Sequence, residues 1–112
     1  MINKQRLRRL LAPKSIAVFG SRGADFAIRE SLAMGFEGPI WSVHPQREQL
    51  MGIKCLQSVT DLPQAPDAAY VAVNAESAIT TVAQLNEMGA GGALLYASGF
   101  SELSDELKTV GL

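Results

Sequence analysis

Several kinds of residue and segment are scarce in this chain of 112 residues, and each scarcity excludes a class of protein. The single cysteine, Cys55, cannot form a disulfide within the chain and has no partner at metal-ligand spacing. We expect it to be a small buried side chain. No apolar run approaches the roughly 20 residues that a membrane-spanning helix needs. The formal net charge is only -1, so we expect neither a nucleic-acid partner nor a membrane partner.

Export signals and further domains are lacking as well. The basic residues at positions 4–9 lead into no apolar signal-peptide core, so we expect a cytoplasmic protein. The length allows one domain with a modest core, spanning residues 1–112. The single histidine, His44, has no visible acidic partner, which favours ordinary loop or ligand-edge hydrogen bonding over a catalytic role.

Strand patterns alternate with helical patterns along the chain. The strands are predicted at 15–19, 39–43, 68–73 and 93–96, and the helices before Pro13 and at 25–34, 76–88 and 103–110. Residues 46–51 are predicted to form a short helix or turn, and residues 52–66 an irregular connection. This alternation predicts an α/β fold, a Rossmann-like doubly wound parallel sheet with helices on both faces. Because no strand follows the last helix, we expect a fragment of a longer chain rather than a complete four-stranded sheet.

The helical patterns also predict capping residues and inward faces. Asp25 is expected to cap the second helix, and Gly35 and Gly89 to end the second and third helices. The arginines of residues 6–9 are interpreted as a solvated helix face, with attraction of an anionic ligand as the alternative. Inward-facing side chains are expected to be Leu7, Leu10, Leu11, Ala27, Ile28, Leu32, Ala78, Ile79, Val82, Leu85, Leu103, Leu107 and Val110, with Trp41 in the core.

The predicted strands all end in small, polar or basic residues. In an open parallel sheet, ligands bind beyond these carboxyl ends. Gly20 and Gly23 lie between the first strand and its helix, where backbone N-H groups and a helix N-terminus can hold a phosphate. Arg22 and Arg47 are the available positive charges. The alternative is that Gly20 serves only as a strand-to-helix turn.

The strand ends also restrict the choice of nucleotide. NAD is disfavoured because the chain has G-x-x-G rather than G-x-G-x-x-G, and because no acid follows the second strand before Glu48. A P-loop is excluded because no G-K-[ST] follows the glycines. Arg47 is placed to bind a phosphorylated ribose, which leaves NADP or coenzyme A.

An ordered set of short segments resembles one known family. The segments occupy residues 10–21, 34–40, 43–45, 52–63, 65–73 and 98–102. In this order they resemble the N-terminal CoA-binding domain of the NDP-forming acyl-CoA synthetases, which are relatives of the succinyl-CoA synthetase α subunit. The resemblance covers nearly the whole chain, and its specificity lies in the order of the segments.

The resemblance implies coenzyme A as the cofactor, and CoA or acyl-CoA as the ligand. It also implies that a phosphorylated histidine and an ATP-grasp domain lie in other domains or subunits of a parent synthetase, so that this chain is not catalytic alone. The CoA-contacting residues it implies are Gly20, Ser21 and Arg22 in the first loop, Pro45 and Arg47 in the second, Val73, Asn74 and Ala75 in the third, and Ser98 and Gly99 near the thiol. Gly23 joins these candidates because it belongs to the same glycine-bearing turn.

The sequence departs from the family pattern at three loops, which keeps other functions open. The first loop is shorter than usual, His44-Pro45 replaces Asn-Pro, and Val73-Asn74-Ala75 replaces Val-Pro-Ala. One alternative is a non-catalytic regulatory or scaffold domain whose nucleotide binding is altered or lost. Another is an NADP-binding Rossmann domain.

Overall fold

The computed structural model describes residues 4–20, 22–95 and 108–111. The helices are α1 (Lys4–Leu11), α2 (Arg22–Ala33) and α3 (Ala75–Met88), with a short 3₁₀ turn at Val59–Asp61. The strands are β1 (Ile16–Gly20), β2 (Ile40–Val43), β3 (Gln49–Leu50), β4 (Ile53–Leu56), β5 (Ala68–Ala72), β6 (Gly92–Leu95) and β7 (Lys108–Gly111).

These strands form one sheet in the order β3-β4-β2-β1-β5-β6-β7. The five inner strands are parallel, and the two edge strands β3 and β7 run antiparallel to their neighbours. The predicted α/β doubly wound sheet is confirmed. Four of the five parallel strands, β1, β2, β5 and β6, were predicted from the sequence, and β4 is the fifth, which was not predicted.

The core consists of two clusters, one on each face of the sheet. Successive residues of β1 point to opposite faces, as the strand period requires, so Phe19 joins one cluster and Val18 the other. The Phe19 cluster includes Leu85 of α3, and the Val18 cluster includes Ile28 of α2. Helices therefore cover both faces, and Cys55 is buried in the second cluster as expected.

Residues 46–51 were predicted to form a short helix or turn and residues 52–66 an irregular connection, but residues 49–56 form a hairpin. Strands β3 and β4 are joined by Met51 and Gly52, whose φ angles are 51° and 79°. Positive φ at both central residues is the geometry of the tightest hairpin turns, which usually carry Asn-Gly. Methionine in the first position hid this signal in the sequence.

Other predictions on the helices were also wrong. Helix α2 begins at Arg22, so Asp25 lies inside its first turn and does not cap it. Leu11, Leu32 and Ile79 are 74%, 53% and 71% exposed, because the inward stripes are narrower than the apolar patterns. Residues 108–111 form a strand, where Val110 was predicted to be helical. The rest of that predicted helix lies outside the described residues.

Two arginines of α1 attach this helix to the carboxyl end of α3 and to the residue that precedes β5. Arg6 donates to Oδ1 of Asn86 at 2.7 Å, and Arg9 donates to the carbonyl oxygen of Gly89 at 2.7 Å. Cations are favoured at these carbonyls because they end α3. Arg9 also pairs with Asp67, with 2.6 Å between Nε and Oδ1. The solvated-face interpretation was therefore wrong for Arg6 and Arg9.

Candidate functional site

The carboxyl ends of the inner strands border one cavity of about 510 Å³, which we call the strand-end cavity. It opens where β1, β2, β4 and β5 finish and where α3 begins, the position at which doubly wound folds bind ligands. Its lining residues are Phe19, Gly20, Val43, His44, Pro45, Gln46, Gln57, Ser58, Val59, Ala72, Val73, Asn74, Ser77, Thr81 and Gln84.

Backbone packing requires glycine at position 20. Its φ is +107°, and a Cβ at this position would lie 2.1 Å from the carbonyl oxygen of Ala72. Real Cβ atoms do not approach oxygen so closely, so only glycine fits between β1 and β5 here. A purely structural role, which was the alternative for Gly20, thus explains the glycine here. It does not exclude a ligand beside it.

Asn74 starts α3 at the edge of the strand-end cavity. It is the N-cap residue, and its side-chain oxygen accepts the backbone N-H of Ser77 at 2.8 Å. An Asn cap stabilises a helix by satisfying one of the N-H groups that have no partner within the helix. The positive end of the α3 dipole therefore faces the cavity, where it favours negative charge.

His44 shapes the turn that follows β2. Its backbone N-H donates to the carbonyl of Leu56 at 2.8 Å, and its Nδ1 accepts the backbone N-H groups of Gln46 at 3.0 Å and of Arg47 at 3.1 Å. The predicted loop hydrogen bonding is confirmed. Because Nδ1 accepts, the neutral ring carries its proton on Nε2.

Arg47 borders a second cavity of about 730 Å³ beside the hairpin, which we call the hairpin cavity. Two cations, Arg47 and Lys54, line it together with two acids, Glu48 and Asp61. The two cavities are neighbours, because Pro45, Gln46 and Gln57 line both. The 44–47 turn separates them.

The charges of the two cavities differ. All the residues named around the strand-end cavity are apolar, hydroxyl, amide or imidazole side chains or glycine, and none is a carboxylate, lysine or arginine. The described residues thus offer a neutral, hydrogen-bonding chamber next to a charged one. In the described part of the chain, no group of three or more His, Cys, Asp or Glu side chains is placed to hold a metal ion.

The predicted site residues are only partly brought together. Four of them, Gly20, Pro45, Val73 and Asn74, line the strand-end cavity, while Arg47 lines the hairpin cavity with Pro45. Ala75 is the first residue of α3, and Arg22 and Gly23 lie in the first turn of α2. The remaining three, Ser21, Ser98 and Gly99, lie outside the described residues.

Sequence reasoning missed two groups of cavity residues. Gln57 and Ser58 were overlooked because β4, which ends just before them, was not predicted. The polar residues Ser77, Thr81 and Gln84 were overlooked although they recur at i, i+4 and i+7 in α3. That spacing marks one helix face, so the signal was present in the sequence.

The fold and the site define a class, α/β domains that bind a ligand at the carboxyl edge of a parallel sheet. Within this class, residues 14–109 match the family described as the CoA binding domain. The chain therefore belongs to the CoA-binding domain family, and the resemblance found in the sequence is confirmed.

Characterised relatives are much longer than this chain. It is 37% identical over 109 residues to a trans-feruloyl-CoA synthase from an unknown prokaryotic organism, covering 93% of this chain and 15% of that protein. It is also 37% identical over 101 residues to an ADP-forming acetate-CoA ligase of Archaeoglobus fulgidus, covering 86% of this chain and again 15% of the relative. The chain thus spans about one-seventh of these proteins.

Solved structures also resemble this chain. A dinucleotide-forming acetyl-coenzyme A synthetase of Ca. Korarchaeum cryptofilum superimposes with a TM-score of 0.74 at 31% identity, covering 89% of this chain and 23% of that one. A smaller neighbour, described as a hypothetical protein from Pyrococcus horikoshii OT3, has a TM-score of 0.63 at 25% identity. Here 80% of this chain covers 66% of the neighbour.

No helix in the described part of the chain is long and apolar enough to cross a membrane.

Proposed function

We propose that this chain binds coenzyme A across the two cavities and serves as the CoA-holding module of an NDP-forming acyl-CoA synthetase. The observation that carries the proposal is the convergence of strand ends and the α3 N-terminus on one cavity, in a chain of the CoA-binding domain family. Such a synthetase joins a carboxylate to CoA, and its phosphohistidine and nucleotide chemistry would belong to other domains or subunits. A cytoplasmic location is part of the same proposal.

The difference in charge between the cavities suggests how the ligand lies. Coenzyme A has an anionic end, with a ribose 3'-phosphate and a diphosphate, and an uncharged pantetheine arm rich in amides. Arg47 and Lys54 in the hairpin cavity suit the 3'-phosphate, because a guanidinium can form two charged hydrogen bonds with it. The amides and hydroxyls of the strand-end cavity suit the amide-rich arm.

The proposed contacts include the residues expected from the sequence. Gly20, Pro45, Val73 and Asn74 would contact the ligand in the strand-end cavity, and Arg47 in the hairpin cavity. The first turns of α2 and α3, which hold Arg22, Gly23 and Ala75, would present backbone N-H groups to the diphosphate. Ser21, Ser98 and Gly99 stay predictions.

Calorimetric titration of the purified protein with CoA tests the proposal, with NAD and NADP as controls. We expect saturable CoA binding and no comparable binding of NAD. Thr81→Val removes a hydroxyl that lines the strand-end cavity, and we expect it to weaken binding about fivefold, as the loss of one hydrogen bond would. Thr80→Val, on the exposed neighbour in the same helix, should leave the affinity unchanged.

A second comparison tests the assignment of the 3'-phosphate. Arg47→Ala should weaken CoA binding about tenfold or more, whereas Arg8→Ala, an exposed position on α1, should not. Dephospho-CoA lacks the 3'-phosphate, so Arg47→Ala should cost it little affinity. Equal weakening for both ligands would mean that Arg47 does not contact this phosphate.

One observation favours a second candidate, a module whose nucleotide binding has been altered or lost. Strand β1 ends at Gly20 and α2 begins at Arg22, so a single residue separates them. Such a short connection offers little loop backbone to a diphosphate. A folded protein that binds neither CoA nor NADP would favour this candidate.

The gene sequence beyond the codon for Leu112 tests the synthetase context, through the presence or absence of the other domains.

A further inference from the structure

We infer that His44 is a positioning residue that holds Arg47 in place for the anionic ligand, and that its protonation releases this hold. The inference rests on the proposed CoA function and extends it to a side chain that would act through another residue. Its basis is that one ring nitrogen, Nδ1, accepts both backbone N-H groups of the turn, from Gln46 and from Arg47.

The Nδ1 atom of His44 accepts hydrogen bonds from Gln46, which borders both cavities, and from Arg47, which borders the hairpin cavity. At 3.0 Å and 3.1 Å, both contacts have ordinary hydrogen-bond length. His44 itself is fixed by its backbone hydrogen bond to Leu56, at the end of β4. The ring borders the strand-end cavity, while Arg47, three residues later, borders the hairpin cavity. The position of the Arg47 backbone therefore depends on the His44 ring.

Protonation would remove the acceptor. In the imidazolium form both ring nitrogens carry hydrogen. Nδ1 would then be an N-H donor that faces the two backbone N-H donors. The hydrogen bonds to Gln46 and Arg47 would be replaced by repulsion, and the turn would open. Imidazole side chains in general change charge between pH 5 and 8, so a comparison of these two pH values tests the release.

Few other charged groups lie near the His44 ring. The side chains that line the strand-end cavity from β1, β5, α3 and the segment after β4 include no other titratable group among the described residues. The charged groups near the turn are Arg47 and Glu48 on the turn itself, and Lys54 and Asp61 across the hairpin cavity. A variant that changes only residue 44 keeps all four of these groups.

Asparagine is the matched replacement. Its side-chain oxygen can accept the same two N-H groups, as Asn and Asp do in turns, and it does not titrate. His44→Asn should therefore keep the turn closed at every pH, and His44→Ala should open it at every pH. The ring of His44 is half-buried, so a circular dichroism spectrum is recorded for each variant as a check of folding.

The test is CoA titration of the wild type and both variants at about pH 8 and about pH 5. The ionisation of CoA is common to all three proteins, so differences between them report residue 44. At pH 8 we expect the wild type and His44→Asn to bind alike, and His44→Ala to bind five- to tenfold more weakly. At pH 5 the wild type should lose a further five- to tenfold relative to His44→Asn.

The NMR shifts of the Gln46 and Arg47 amides are followed over the same pH range. In the wild type both shifts should change between pH 8 and pH 5, and in His44→Asn they should not. Parallel pH profiles of CoA binding for the wild type and His44→Asn would overturn the inference alone. Absence of CoA binding to the folded wild type at pH 8 would overturn the proposed function and this inference with it.

Discussion

Replacing Asp67 by asparagine should destabilise the fold strongly at neutral pH and weakly in acid. The Oδ1 atom of Asp67 accepts Nε-H of Arg9 at 2.6 Å, and Oδ2 accepts the backbone N-H of Lys14 at 2.8 Å. Hydrogen bonds to charged groups contribute about 1.5–3 kcal/mol each. The sum is reduced because the Arg9 side chain is 35% exposed and because the asparagine side chain keeps one acceptor oxygen. We therefore expect Asp67→Asn to lower the free energy of unfolding by about 2–3 kcal/mol at pH 7.

The pH dependence follows from the pKa of the same carboxyl group. Burial raises the pKa of Asp67, but the hydrogen bonds from Arg9 and from the Lys14 backbone, with the charges of both residues, outweigh it and lower the pKa. The folded state therefore favours the carboxylate. Its contribution is complete above the unfolded pKa of about 3.9 and is lost as the pH falls through the lower folded value.

Urea unfolding followed by circular dichroism measures this effect at pH 7, 5, 4, 3 and 2. The difference in unfolding free energy between the wild type and Asp67→Asn should narrow below about pH 4, because the variant has no carboxyl group to protonate. Glu87→Gln, at an exposed position of α3, should show no loss at pH 7. A difference that stayed constant to pH 2, or that was below about 0.5 kcal/mol at pH 7, would refute the reasoning.

Five further substitutions have defined outcomes in urea unfolding at pH 7. Asn74→Ala removes the cap of α3 and should cost about 1 kcal/mol. Ile28→Ala empties a fully buried site and should cost about 2–5 kcal/mol, whereas Leu32→Ala, 53% exposed in the same helix, should cost under about 1 kcal/mol. Gly20→Ala should prevent a stable fold, and a folded protein with unchanged stability would contradict the close contact with β5. Met51→Asn should stabilise the hairpin by about 0.5 kcal/mol, and a loss would contradict the proposed turn type.

Most of the parallel sheet could be predicted from the sequence because its strands are short and apolar and because helices separate β1 from β2 and β5 from β6. Ala17, Val18 and Phe19 form a continuous apolar run, which is typical of a strand buried on both faces. The end of each such strand places its last residues at the ligand edge. For this reason the sequence alone predicted Gly20 and Asn74 at the edge of the sheet where the strand-end cavity opens.

The hairpin and the second cavity could not be predicted, because the decisive signals were local and ambiguous. Met51 adopts a backbone conformation that the sequence normally marks with asparagine. Without β4, the two charged residues Arg47 and Lys54 lie seven positions apart with no reason to share a cavity. The pairing of Arg9 with Asp67 spans 58 positions, a distance at which composition says nothing about contact.

The two-residue strand β3 also bears on how this protein behaves at high concentration. A parallel sheet that ended at β4 would expose a row of unpaired backbone groups, to which a second molecule could add a strand. The hairpin folds back over that row, and because β3 contains only Gln49 and Leu50, the new edge is too short for another chain to extend. The left-handed Met51 turn that obscured this hairpin in the sequence therefore also protects one side of the sheet from aggregation.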